Sequence, residues 1–194
     1  MEYYAHISDD GRRQTVAEHL TGTAVLCRAF AGAFGAEAEG ELMGLAHDIG
    51  KCTDGFQKRL LEDGPIVDHA TTGAVVCARL GHARAAACVV GHHGGLPDFG
   101  NLKSDRKEDA TLYGRLRKGI EGRYLENCGE SGVTLPQLPP EAPERDRWKF
   151  SFQTRMLYSC LVDADFLDTE RFMTRERGRG GYNALSTLLK RLEE

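Results

Sequence analysis

The chain has 194 residues, enough for one domain with a sizeable core, and 41% of them are hydrophobic against 28% charged. No apolar run approaches the roughly 18 residues of a membrane span, and the opening "MEYYAHISDDGRR" lacks the apolar stretch of a secretory signal, so a cytoplasmic protein is expected. A net charge of −4 offers no general attraction to nucleic acid, although the acidic excess is confined to the first half of the chain.

The pattern then reads as helix after helix. "TVAEHLTGTAVLCRAFAGAFG" opens with a capping box from Thr15 to Glu18, puts Val16, His19, Thr23, Leu26 and Phe30 on one face, and closes at Gly35. A second helix is expected over 37–50, carrying "GLAHDIGK". This stretch is not a phosphate loop. Five residues rather than four separate Gly44 from Gly50, Cys52 stands where a hydroxyl should follow Lys51, and no strand precedes it. Leu42, Leu45, Ala46 and Ile49 recur at helical spacing instead, with His47 and Asp48 adjacent on that helix.

A short helix follows in "DGFQKRLLED", and Asp68 is the expected N-cap of "HATTGAVVCARLG". "ARAAACVVGHHGG" is a helix stopped by Gly94 and Gly95. A charged amphipathic helix is expected over about 106–127; its Arg115, Arg117, Lys118 and Arg123 suit a phosphate backbone or a solvated face equally. "GESGVTLPQLPPEAPERD" is a surface loop. A long helix resumes through "RWKFSFQTRMLYSCLVDADFLDTERF", "RERGRGG" is a basic break, and "YNALSTLLKRLEE" is a terminal amphipathic helix. No strand is evident, and the class is all-α. Cys27, Cys52, Cys77, Cys88, Cys128 and Cys160 are scattered without a CxxC pair and read as buried free thiols.

Seven histidines punctuate these helices, and each alone is an ordinary structural or surface residue. Together they form a pattern. His19, the His47–Asp48 pair, His69 and the His92–His93 pair bring imidazole from four helices, and "LVDADFLDTE" adds Asp163, Asp165 and Asp168 from a fifth. Helical bundles build metal sites from inward-facing side chains in this way. Nitrogen and oxygen donors without thiolate suit manganese, iron, cobalt or nickel, and admit magnesium. So many donors exceed the need of one catalytic ion. Two ions about 3.5–4 Å apart, sharing a carboxylate, can clamp both oxygens of a phosphoryl displacement.

Taken in order, "AEHL", "LAHDIGK…FQKRL", "VDHATTGA", "GHHGGLPD" and "SCLVDADFLDTE" resemble the HD phosphohydrolase superfamily and, within it, the HD nuclease domain of the CRISPR-associated type I nuclease–helicase. The resemblance covers residues 5–175 and implies an HD-domain helical bundle with a dinuclear metal site over 1–175, followed by the basic break and a connector helix over 176–194. It implies that His19, His47, Asp48 and Asp165 surround one divalent ion. Asp48, His69, His92 and His93 would surround the other, with Asp48 bridging. Asp163 and Asp165 lie on opposite helix faces, so only one is expected to bind, and the resemblance favours Asp165. His6 and His82 match no ligand position.

Lys51 would neutralise an oxygen of the scissile phosphate or be a surface lysine, and Gly50 would let its helix end. The implied activity is metal-dependent cleavage of single-stranded DNA in antiviral defence, by endonuclease and exonuclease action. The implied partners are a helicase and an RNA-guided surveillance complex. No Walker A motif occurs, so the chain would be a stand-alone subunit or the N-terminal part of a nuclease–helicase. The rivals are an HD-type nucleotide or cyclic-nucleotide phosphohydrolase and a catalytically silent interaction module.

Overall fold

The computed structural model describes residues 2–120, 123–174 and 183–193. It opens with an antiparallel hairpin, β1 (Tyr4–Ile7) and β2 (Arg13–Thr15), in which His6 stands opposite Gln14. This corrects the expectation that the chain has no strand. Strands of four and three residues are too short for their alternation to be read against the helical pattern around them.

Where β2 ends, α1 (Val16–Ala31) begins. The Thr15 hydroxyl accepts the Glu18 N–H and the Glu18 carboxylate accepts the Thr15 N–H, so the capping box forms as read. The next helix, α2 (Glu37–Ala46), returns along α1 at close range because Gly44 has no side chain. A Cβ there would lie 2.4 Å from the Ala24 Cα. The helix stops at Ala46, short of the expected Gly50; His47 caps it, Asp48 leaves helical geometry at φ −121°, and a 3₁₀ turn follows over Ile49–Cys52.

Then come α3 (Asp54–Glu62), α4 (Ala70–Arg79) and α5 (Ala83–Gly91). The N-cap of α4 is His69, one residue past the expected Asp68, which nonetheless accepts from the Thr71 N–H at 3.1 Å and the Thr71 hydroxyl at 2.8 Å. Two short helices, α6 (Leu112–Leu116) and α7 (Tyr124–Glu130), stand where one helix was expected over 106–127. Gly119 takes a left-handed φ of 76° between them, which no α-helix accommodates. The long α8 (Arg147–Thr174) crosses the bundle, and α9 (Leu185–Glu193) ends the chain. The basic break expected at "RERGRGG" lies outside the described residues.

The fold is all-α apart from the hairpin. Leu42, Met43, Ala74, Cys77, Val89, Leu157 and Leu161, from α2, α4, α5 and α8, form the main core, which α1 joins through Cys27. A second cluster, with Tyr3, Val16, Leu20, Ile49 and Tyr124, ties the hairpin, α1, the 3₁₀ turn and α7 together. Among the described residues no helix is long and apolar enough to cross a membrane.

Cys27, Cys77, Cys88 and Cys160 are buried free thiols, as read. Cys52 and Cys128 are not: they form a disulfide across 76 residues. The sequence offered no spacing signal because α7 meets the 3₁₀ turn only in the folded chain, where Asn127 Nδ2 also donates to the Cys52 carbonyl at 2.8 Å. Chain-entropy arguments give closure of so long a loop about 4 kcal/mol, so a thiol reductant should lower the Tm by about 10 °C. The Cys52→Ser/Cys128→Ser protein should show the same lowered Tm and no further response to reductant; a wild-type Tm indifferent to reductant would exclude the bridge.

Candidate metal centre

Five elements converge on one buried point. His19 comes from the middle of α1, His47 and Asp48 from the end of α2, and His69 from just before α4. His92 and His93 close α5, and Asp165 comes from α8. All seven donors read from the sequence are thus brought together. They fall into two groups, His19–His47–Asp165 and Asp48–His69–His92–His93, each with its donor atoms within 4.8 Å of one another. Asp163 is exposed and points away, which leaves Asp165 as the α8 carboxylate facing the histidines.

Hydrogen bonds at the rear of the rings settle which nitrogen faces inward. His47 Nδ1 donates to the Gly44 carbonyl at 2.8 Å, His92 Nδ1 to the Val89 carbonyl at 2.6 Å, and His69 Nδ1 to the Val67 carbonyl at 3.3 Å. His19 Nδ1 donates to Asp168 Oδ2 at 2.9 Å. Carbonyl and carboxylate oxygens only accept, so each Nδ1 carries hydrogen and each Nε2 turns to the centre. Such partners orient metal-ligating histidines and raise their basicity.

The inward atoms are spaced for cations. His19 Nε2 and His47 Nε2 lie 3.1 Å apart and stand 3.4 and 3.6 Å from Asp165 Oδ1. They lie 3.4 and 3.5 Å from Asp48 Oδ2. On the other side, His69 Nε2 and His92 Nε2 are each 3.4 Å from Asp48 Oδ1, and His69 Nε2 is 2.9 Å from His93 Nε2. Atoms held about 2.1 Å from one ion stand about 3.0–3.4 Å apart. Asp48 is 1% exposed, yet neither of its oxygens has a hydrogen-bond donor, and His92 Nε2 has no partner either. A buried carboxylate in that state is costly unless cations face it. The donors therefore form two groups that could hold divalent metal, with an Asp48 oxygen facing each.

Lys51 is buried, not a surface lysine. Its Nζ lies 2.7 Å from Asp48 Oδ2 as an ion pair, off the line of a hydrogen bond, and 5.6 Å from the centre of the Phe56 ring. Burial alone would raise the Asp48 carboxyl; Lys51, His47 and the other histidines hold it well below the usual carboxylate range. Gly50 also differs from its expected part. A Cβ there would stand 2.2 Å from the His69 carbonyl oxygen, so the glycine is needed for the close seat of the turn against His69.

Partial desolvation, with His92 alongside, pushes His93 down to about 4 although part of its ring is open to solvent, and burial lowers His69. Both are neutral donors at pH 7. His19 goes the other way. Burial would lower it, but Asp165, Asp168 and Asp48 outweigh burial and push it up to about 10. Below that pH a proton on His19 takes the place of a cation. Ligation needs the lone pair, so metal loading at pH 7 should release a proton, and apparent affinity should fall as pH falls. Calorimetric titration with manganese in two buffers of different ionisation enthalpy measures this; identical heats in both would contradict it.

The sequence reading missed three residues here: Asp168, Gln14 and His6. Asp168 belongs to an acidic run, and its i+3 spacing from Asp165 puts both on one helix face. His6 matches no ligand position in the sequence pattern. Its ring packs edge-on against His19 with centroids 4.6 Å apart, and burial together with Lys51 pushes it down to about 4. His82 is buried away from the donors, as expected.

A family model described as HD domain matches residues 16–119, more than half of the chain. No curated protein matches it. The matched stretch holds His19, His47, Asp48, Lys51, His69, His92 and His93; the hairpin and the α8 carboxylates lie outside it.

Proposed function

The chain belongs to the HD domain family of metal-dependent phosphohydrolases, and from that premise we propose that it is a nuclease that cuts single-stranded DNA. The observation that carries the phosphodiester chemistry is the Asp48 carboxylate, whose two oxygens face two separate histidine nests. His19, His47, Asp48 and Asp165 would hold one divalent ion; Asp48, His69, His92 and His93 would hold the other. Bound there, manganese, iron, cobalt, nickel or magnesium would supply Lewis-acid stabilisation of phosphoryl oxygens and a more acidic water.

The chain's own residues do the rest. The Nδ1 hydrogen bonds fix the rings before substrate arrives, so little reorganisation is left for the reaction. Lys51 adds positive charge at the Asp48 edge, where a non-bridging phosphate oxygen would develop charge. His93 is exposed and His69 half-buried, which leaves that side open to substrate. A cavity of about 930 Å³ reaches Val67, Asp68 and Gly50 but none of the donors, and its wall sets Asp54, Asp68 and Glu130 against Lys118 and Arg123, so it gives no net attraction to a polyanion. The ordered motifs through "GHHGGLPD" and "DADFLDTE" support the narrower reading of antiviral defence, with a helicase and an RNA-guided complex as partners.

Bringing one phosphate to a recessed centre requires a strand that bends. A single strand bends cheaply, whereas duplex DNA has a persistence length of about 150 base pairs. The chain should therefore open single-stranded circles with manganese, stop on addition of chelator, and leave matched linear duplex nearly untouched. Equal rates on both DNAs would refute the substrate assignment. Turnover of mononucleotides with the circle left intact would favour a nucleotide phosphohydrolase.

A further inference from the structure

The hairpin sends two side chains towards the metal centre, and the donors and acceptors along them form one unbroken line. His6 and Gln14 are cross-strand partners in β1 and β2. Gln14 Nε2 lies 2.8 Å from Asp168 Oδ2, and the carboxylate can only accept, so the amide nitrogen must face it. The opposite end of the amide, Oε1, then faces His6 Nδ1 at 2.8 Å and takes its hydrogen. His6 Nε2 is left with a lone pair, and Lys51 Nζ, which can only donate, stands 3.1 Å from it. Lys51 in turn pairs with Asp48. Asp168 thus orients two rings at once: His19 directly, and His6 through Gln14.

The hairpin that carries this line is anchored at both ends. Arg12 donates to the Phe172 carbonyl of α8 at 2.7 Å. Gln57 Nε2 donates to the Tyr4 and Lys51 carbonyls at 2.9 and 2.8 Å, joining β1 to the turn that bears Lys51. His6 and Gln14 are therefore held against the centre by packing on two sides.

We propose that His6 and Gln14 are positioning residues that set the Lys51 ammonium at the edge of the Asp48 carboxylate. The inference rests on the phosphohydrolase reading for its effect on rate, but not for its geometry. Without His6, the buried ammonium keeps its ion pair with Asp48 but loses the hydrogen-bond acceptor that fixes its direction.

The test combines a mutant cycle with a spectroscopic readout. Hydrolysis of bis(p-nitrophenyl) phosphate is followed with manganese in wild type, His6→Ala, Lys51→Ala and the double variant, with bound metal and Tm measured for each. His6→Ala should lower kcat about 10-fold, the loss typical of removing an outer hydrogen-bond partner, with KM and bound metal within about twofold of wild type. It should cost nothing further in the Lys51→Ala background. His6→Gln, which keeps an acceptor towards Lys51, should recover most of the rate.

Independently of rate, proton–nitrogen correlation NMR should show the buried Lys51 ammonium, identified by its loss in Lys51→Ala. That resonance should move or broaden in His6→Ala and in Gln14→Leu. An unmoved resonance in both, or a His6→Ala loss of equal size in the Lys51→Ala background, would overturn the proposal. A wild-type protein inactive on the diester would remove the phosphohydrolase reading, and the resonance would still decide the positioning.

Discussion

Asp48→Ala should lower metal-dependent cleavage by at least about 1,000-fold, equivalent to about 4 kcal/mol of transition-state stabilisation. The reason is geometric. Each Asp48 oxygen faces a different pair of histidines, so one truncation removes a donor from both groups together. It also leaves Lys51 buried without its carboxylate, and breaking a buried pair from one side costs about 3–5 kcal/mol. Stability and activity should therefore fall together in Asp48→Ala.

Asp48→Asn separates them. It keeps the shape and can hydrogen-bond, but it cannot offer two anionic oxygens. It should stay folded, bind fewer than two ions by elemental analysis after loading, and remain inactive. Near-wild-type cleavage by metal-saturated Asp48→Asn would remove Asp48 from its bridging place. Lys51→Ala should lose less, about 10- to 100-fold, because it removes one charge and no donor.

Gly50→Ala should damage the site by pressing a methyl group onto the backbone of His69. The added Cβ would meet the His69 carbonyl oxygen at 2.2 Å and the His69 Cα and carbonyl carbon at 2.8 Å, all backbone atoms that cannot rotate away. The 3₁₀ turn and the segment bearing His69 must then separate. Overpacking of this kind costs about 3 kcal/mol, a fall of about 7 °C in Tm for a chain of this size. Because His69 moves with its backbone, the group containing His92 and His93 should lose metal affinity while His19, His47 and Asp165 keep theirs. Gly129→Ala, where a Cβ would meet nothing within 4 Å, is the matched control and should leave both properties unchanged. Equal Tm and equal metal content in the two variants would show that the turn has slack at Gly50.

The sequence by itself determined what depends on neighbours a few residues apart. The Thr15–Glu18 box and the Asp68 side-chain contact with Thr71 are local, and both hold in the folded chain; the 3.6-residue periodicity places the helices but not the breaks at Ala46 and Gly119. The histidines and aspartates that could serve as donors were readable as residue types on successive helices, and the family resemblance selected seven of them. The division of those donors into two sets sharing Asp48 is what the family resemblance implies; only the tertiary structure shows how one carboxylate faces both sets. Asp48 Oδ1 and Oδ2 face opposite ways because α2 stops at Ala46 and the chain turns, a break that periodicity carried on through Ile49 had hidden.

The remaining corrections share one cause. Cys52 meets Cys128, Gly50 meets His69, and Lys51 meets His6 across separations that no local propensity encodes. The same holds for Asp168, which reaches His19 and Gln14 across 149 and 154 residues. A side chain's role there follows from which donor, acceptor or backbone atom lies opposite it, and that is settled only when the helices pack.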